Sequence, residues 1–284
     1  MEIVYEVLID TLKDTAKMLP FLFGVYLLIE YFEHKASDRL PNVLRKMGIF
    51  GPIGGAALGC LPQCGFSVAA SNLYSGRLIS LGTLIAVFVA TSDEAVPILI
   101  ASPDGAAKIL PLIAAKLIVA IVAGLAVDFC LKIMKSRRNE QQEPYHDLCE
   151  NCGCDERGVI LSALIHTVKI TLFVFFVSLL LGLAISFLGE ERLGGLLMTN
   201  SPLQPFITAL IGLIPNCAAS VVLTDLYAAG SLSFGSVTAG LSTGAGLGLA
   251  VLFRTNKNLK ENLTVAALLY FVGVLSGLIL NLIF

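Results

Sequence analysis

The residues of this chain best able to do chemistry are sulfur and oxygen ligands set in apolar sequence. Residues 59–83 read GCLPQCGFSVAASNLYSGRLISLGT, placing Cys60, Gln63, Cys64 and Ser67 around a proline. Residues 212–236 read GLIPNCAASVVLTDLYAAGSLSFGS and offer Asn216, Cys217 and Ser220 in the same order. Thiolates suit trivalent arsenic or soft metals, while the amide and hydroxyl oxygens add harder ligands. Cys60 precedes Cys64 by one helical turn, a spacing that shares a helix face, although Pro62 intervenes. The same cysteines would also serve as small packing residues.

Asp93 and Glu94 lie inside the apolar run LGTLIAVFVATSDEAVPILIAS. Carboxylates at membrane depth are costly unless paired, hydrated or neutralised, so they mark a functional site by default. Their oxygens would suit manganous ion, and a raised pKa would suit proton exchange; capping at an interface is the plain alternative. Lys116 is the most deeply placed cation and could neutralise either acid, which makes Glu94 and Lys116 the coupling candidates. Asp128 reads as a solvated residue at the end of its span. A central string, HDLCENCGCDE, holds His146, Cys149, Cys152 and Cys154, four ligands able to close around one metal. The second half of a zinc ribbon is missing, so a reduced flexible linker fits the string as well. No phosphate-binding loop of the Walker type is present, so ATP hydrolysis is not expected.

The elements that position these groups must cross a bilayer. Of the 284 residues, 56% are hydrophobic and 14% charged, against about 25% charged in a soluble domain. The mean hydropathy is +0.84, and several apolar stretches approach the ~20 residues that a crossing needs. No basic region precedes the first stretch, so a cleaved leader is not expected. The seven cysteines, several of them in apolar segments, do not resemble an extracellular disulfide framework.

The two cysteine motifs belong to a longer duplication. At an offset of 153, Gly59 meets Gly212, and Pro62, Cys64, Ser67, Val68, Leu73, Tyr74, Ser80 and Gly82 each meet an identical residue. The same offset pairs Gly124 with Gly277 and Asp128 with Asn281. The chain thus divides into a first membrane repeat (1–134), a polar linker (135–157) and a second membrane repeat (158–284). Basic residues gather at 34–47 in the first repeat and at 254–260 in the second, while the equivalent loops 189–202 and 102–108 are poor in them. By the positive-inside rule the halves lie upside down to one another, with the linker cytoplasmic and both termini outside. The spans expected to flank each half are about 8–33 and 108–131, then 160–188 and 262–284. The middle segments, 48–101 and 203–253, hold either three short crossings or one crossing with re-entrant half-helices. Gly59, Pro62, Gly65 and Pro215 mark helix breaks within them. Inverted repeats with breaks at corresponding places point to a transport site near the midplane.

The paired motifs LPQCGFS and IPNCAAS, the Thr91-Ser92-Asp93-Glu94 stretch and the Cys/His-bearing linker resemble those of a bacterial ten-helix heavy-metal exporter family, whose members are called arsenic efflux proteins or manganese transporters. A more distant similarity is to the arsenic permease type. The resemblance covers the whole chain. It implies an all-α integral membrane protein of two inverted repeats, each of about five transmembrane segments, broken or re-entrant in the middle. It also implies efflux of a metal ion or metalloid, manganese or arsenic species, across the inner (plasma) membrane. The partners are then the cargo and the bilayer, with no nucleic acid and no cofactor; a homo-oligomer is compatible.

The leading expectation is a secondary exporter working by ion-coupled alternating access, not an enzyme. A membrane thiol oxidoreductase is the alternative from another class, although Cys149 and Cys152 stand in a polar loop and not at a span end. A passive channel would use the same broken helices. The charge distribution predicts that an impermeant thiol reagent added to intact cells leaves Cys149, Cys152 and Cys154 unlabelled. Rapid labelling of those three would reverse the assigned orientation.

Overall fold

The computed structural model describes residues 50–61, 65–92, 95–102, 105–138, 159–188 and 203–283, with scattered residues between 5 and 27. The described residues are helical and contain no strand. Eleven helices follow in order: α1 Phe50–Gly59, α2 Gly65–Ser75, α3 Leu81–Ala90, α4 Ala95–Ala101, α5 Gly105–Arg138, α6 Val159–Leu188, α7 Gln204–Gly212, α8 Cys217–Ala228, α9 Phe234–Thr243, α10 Leu247–Thr255 and α11 Leu259–Ile283.

Among the described residues five segments are long and apolar enough to cross a membrane: Leu81–Ala101, Ala107–Ile133, Ala163–Leu180, Phe234–Thr255 and Leu259–Ile283. The two that contain a helix break, α3–α4 and α9–α10, are 69% and 83% buried, against 28%, 24% and 33% for the others. The broken segments therefore form the centre. The continuous α5, α6 and α11 turn Leu110, Ile118, Phe129, Phe176, Leu180 and Leu282 outward, as lipid-facing helices do. That order is what a bilayer demands, because interrupted backbone is tolerated only where protein or a watery cavity surrounds it.

The shorter helices pack on the broken ones. α1 has 10 residues, about 15 Å of rise, half of the ~30 Å hydrocarbon core. It runs parallel to α3, since a side chain added at Gly51 or Gly55 would meet Thr83 and one at Gly59 would meet the Val87 carbonyl and Ala90. α2 ends at the turn that starts α3, where Leu78 N–H donates to the Leu73 carbonyl at 2.9 Å. The start of α1 and the end of α2 thus share one end of α3. α7 and α8 stand in the same relation to α9: Gly212 meets Gly240 and Thr243 at the far end. At the near end, Gln204 of α7 bonds Ser231 O and Ser233 N, both at 3.2 Å.

The contacts recur at the offset of 153. Ser80 caps α3 by accepting from Thr83 N, and Ser233 caps α9 by accepting from Ser236 N. Gly82 N donates to Asp128 Oδ1 at 2.8 Å and Gly235 N to Asn281 Oδ1 at 3.0 Å. Asp128 also accepts from Ser80 Oγ at 2.6 Å. Asp128 is therefore a half-buried joint that ties the start of α3 to α5, a correction to its expected role as a solvated boundary residue. The position is legible only through its Asn281 counterpart, because a neutral amide does the same work. Small residues make this approach feasible: Gly82 lies against the Gly124 carbonyl, and Gly235 against the Gly277 carbonyl. The turns before α3 and α9 match too, with φ of 60° at Arg77 and 78° at Gly230. Glycine adopts that region freely. Arg77 is held there by an ion pair with Glu261 at 2.9 Å and by its guanidinium 5.8 Å from the Tyr74 ring.

These close approaches predict that Gly235→Val, whose Cβ would fall on the Gly277 carbonyl and Asn281, lowers unfolding stability by about 1–3 kcal/mol or more. Gly24→Ala, where nothing lies within 4 Å, should leave the thermal midpoint of the detergent-solubilised protein unchanged. Equal midpoints for both variants would contradict the packing.

Candidate functional site

The broken helices meet at one cation. Lys116 of α5 is fully buried, and its Nζ donates to the carbonyl oxygens of Thr91 and Leu241, the latter at 2.9 Å. Thr91 is the C-cap of α3, and Leu241 lies in the last turn of α9. Helix C-termini carry carbonyls without intrahelical donors and a partial negative charge. A lysine between two such ends donates to both.

Local bonds hold the ends open. Thr91 Oγ1 donates to Val87 O at 2.8 Å, and Ser92 Oγ to Ala90 O at 3.2 Å. In the second interruption Thr243 Oγ1 donates to Ala209 O and to Gly240 O, each at 2.8 Å, so α7 braces the end of α9. Gly244 caps α9 with φ −71° and ψ 73°, and Gly246 starts α10 at φ 52° and ψ −142°. Only glycine reaches the latter conformation without strain.

The starts of α2 and α8 approach the same interruptions. Ser67 is fully buried, and a Cβ at Gly248 would stand 2.7 Å from its own Cβ. Ser71 Oγ bridges α2 and α10, its one hydrogen shared between Ser67 O at 2.9 Å and Gly248 O at 2.7 Å. Ser220 Oγ lies 3.4 Å from the place of a Cβ on Gly244. Asn216 caps α8 by accepting from Ala218 N at 3.2 Å, while its Nδ2 donates to Ser178 O of α6 at 3.4 Å. Its amide is thus already engaged by backbone. Cys217, the first residue of α8, is half-buried. Cys60, just past the end of α1, is half-buried and within electrostatic reach of Lys116.

Of the residues singled out from sequence, the structure gathers Cys60 and Lys116 near the end of α3, and Ser220 at the second interruption. Ser67 stands where α2 meets α10, and Asn216 and Cys217 open α8. Gln63, Cys64, Asp93, Glu94, His146, Cys149, Cys152 and Cys154 lie outside the described residues. Among the described residues no three His, Cys, Asp or Glu side chains converge as a metal cluster. Sequence reading missed the Thr91 and Leu241 carbonyls, which no side-chain pattern advertises. It also missed two ties between the halves. One is the Arg77–Glu261 pair, joined by Asn256 Nδ2 on Glu261 Oε2 at 3.1 Å. The other is Lys108, which reaches Ala228 O at 3.3 Å and stands 5.0 Å above the Tyr227 ring. The offset of 153 pairs Arg77 with Gly230 and Lys108 with Glu261, so these ties occupy corresponding places with different chemistry.

A family whose description reads "Putative, 10TM heavy-metal exporter" matches residues 1–190 and 157–284. The chain belongs to this heavy-metal exporter family. Its membership accounts for the helices long and apolar enough to span a membrane. Searches of curated proteins and of solved structures returned no match.

Lys116 generates a prediction that holds for an exporter of any metal. Lys116→Met removes the charge at similar volume and leaves two buried carbonyls without their donor. The expected loss is about 1–3 kcal/mol of stability, measured as a lower thermal midpoint in detergent. An unchanged midpoint would mean that other donors replace the ammonium.

Proposed function

We propose that the protein exports a divalent metal cation with a preference for oxygen ligands, manganous ion being the model cargo, by ion-coupled alternating access. The observation that carries this reading is the meeting of two interrupted helices at a buried lysine. Asp93 and Glu94 follow Thr91 by two and three residues, so their carboxylates belong to the chain segment that leaves the Lys116 contact. In this reading they bind the cargo, Lys116 balances their charge, and Glu94 with Lys116 couples transport to a counter-ion. Cys64, Cys217, Gln63, Asn216, Ser67, Ser220 and Cys60 shape the path. The loop with His146, Cys149, Cys152 and Cys154 gathers metal on the cytoplasmic side.

The architecture proposed with it is two inverted repeats, 1–134 and 158–284, around the linker 135–157. In each, a broken crossing is flanked by a pair of half-helices entering from one side, and both termini are outside. Counting each half-helix as a segment brings each repeat to five and the total to the family's ten. The ties between halves support the inversion. α11 runs antiparallel to α9, because Gly235 meets Gly277 and Thr243 meets Gly273. Glu261 therefore lies at the end of the molecule away from the start of α9, yet it pairs with Arg77 before the start of α3. Lys108 makes the reciprocal contact with the end of α8.

The half-buried thiol of Cys60 just past the end of α1 favours a second cargo, trivalent arsenic bound by sulfur, and the two cargoes make opposite demands. For manganous ion, Asp93→Asn with Glu94→Gln should abolish metal resistance and efflux, while Cys64→Ser and Cys217→Ser stay mild. For arsenite the cysteine variants should be the damaging ones. Accumulation of each metal in cells carrying correctly inserted variants decides between them. Full activity of the doubly substituted carboxylate variant would end the manganese reading.

A further inference from the structure

Among the described residues several buried hydroxyls bond their own helix. Ser71, Thr91, Thr208, Thr224 and Thr238 each donate to the carbonyl four residues earlier, the ordinary local solution for a hydroxyl in a helix. Ser242 in the last turn of α9 is an exception. It is fully buried, and its Oγ has no hydrogen-bond partner, although the backbone of Thr238 lies one turn below. An unsatisfied buried hydroxyl is a standing cost to the fold.

Its place makes the exception informative. The preceding residue, Leu241, gives its carbonyl to Lys116. Two residues later stands Gly244, against Ser220 Oγ. Val237 and Leu241 face α4 and α5. Gly240 meets α7 and α8, and Ala239 and Thr243 meet α11. Ser242 therefore falls on the sector of α9 left for its contact with α3, between the two interrupted helices. Among the described residues two other buried side-chain atoms lack partners, Thr171 Oγ1 of α6 and Asn262 Oδ1 of α11. Neither is at an interruption, and Asn262 is held by its amide on Asn256 O at 3.0 Å. The repeat counterpart of Ser242 is Val89, so the hydroxyl exists in one half alone.

We propose that Ser242 Oγ is a ligand of the transported ion, a neutral oxygen that the second half contributes between the two interrupted helices. The inference rests on the oxygen-preferring cargo named above and deepens it: a hydroxyl donor in the inner shell selects hard divalent cations against soft ones.

The test uses the full chain reconstituted in liposomes, with manganous and cadmium ions as separate cargoes and the thermal midpoint recorded with and without manganous ion. Ser242→Ala should raise the manganese KM by roughly tenfold, the effect of losing one bond to a charged partner. Its ion-free midpoint should be equal to or above that of the parent, because a costly hydroxyl is gone. Manganous ion should raise that midpoint less than in the parent. Ser242→Cys, nearly equal in size, should shift the manganese-to-cadmium preference toward cadmium by about tenfold. Parent-like kinetics and selectivity in both variants would overturn the assignment of Ser242 while leaving the exporter intact. A lower ion-free midpoint with parent-like ion stabilisation would make Ser242 a packing residue and overturn it equally. Parent liposomes that move neither ion would instead remove the cargo reading on which the inference stands.

Discussion

A helix interrupted inside a bilayer leaves carbonyls and amides that lipid cannot satisfy, and each would cost several kcal/mol if abandoned there. Two such interruptions lie back to back in this protein, and Lys116 serves both by donating to Thr91 O and Leu241 O. The arrangement fixes the rest of the design. The broken segments occupy the centre, so the continuous α5, α6 and α11 must take the lipid. The short α1 and α7 must reach only as far as the interruptions. Thr243 can then brace the end of α9 on Ala209 of α7.

Glycine makes the compact centre possible through close approach. Gly82 and Gly124, and Gly235 and Gly277, bring each broken helix onto its long partner at backbone distance, the small-residue packing by which helices associate in lipid. Where the helices touch so closely, a side-chain cap can cross between them. Asp128 on Gly82 N and Asn281 on Gly235 N are that crossing. Both oxygens accept one amide, which explains why an acid and a neutral amide can stand at equivalent positions.

The membrane class, the sequence repeat and the breaks between α1 and α2 and between α7 and α8 were legible because they rest on composition and on residue types that recur, whereas the interruptions after Thr91 and Thr243 were not marked. Pro62 with Pro215 and Gly82 with Gly235 need no knowledge of neighbours. The half-helix arrangement proposed above was not legible, because 50-odd apolar residues satisfy either topology by length alone. What supports it is the 10-residue length of α1 and the contact of Gly59 with Val87 and Ala90 at the end of α3, where the broken segment is interrupted. The site was legible in part. Lys116 stood out as a charge in an apolar span, but its partners are backbone carbonyls, whose exposure follows from where a helix stops and not from residue identity. Asp128 was misjudged for the converse reason: a residue near a span end looks solvated until the partner helix is placed beside it.

Symmetry and its failures divide the labour within the molecule. Positions that agree across the offset of 153, such as Ser80 with Ser233 and Gly124 with Gly277, carry folding contacts that both halves need. Some positions that disagree carry charge in one half alone, or charge of opposite sign. Lys116 stands where the second half has the buried Leu269, Arg77 where it has Gly230, and Lys108 where it has Glu261. A duplicated scaffold could use leucine at position 116 for packing, as Leu269 does in the other half. Placing an ammonium there instead requires two carbonyl ends to converge on it, and those carbonyls come from both broken helices. A single lysine thereby makes the two interruptions one structural unit, so displacing the end of α3 must disturb the end of α9. Coupling between the halves follows from that shared cation before any cargo is considered.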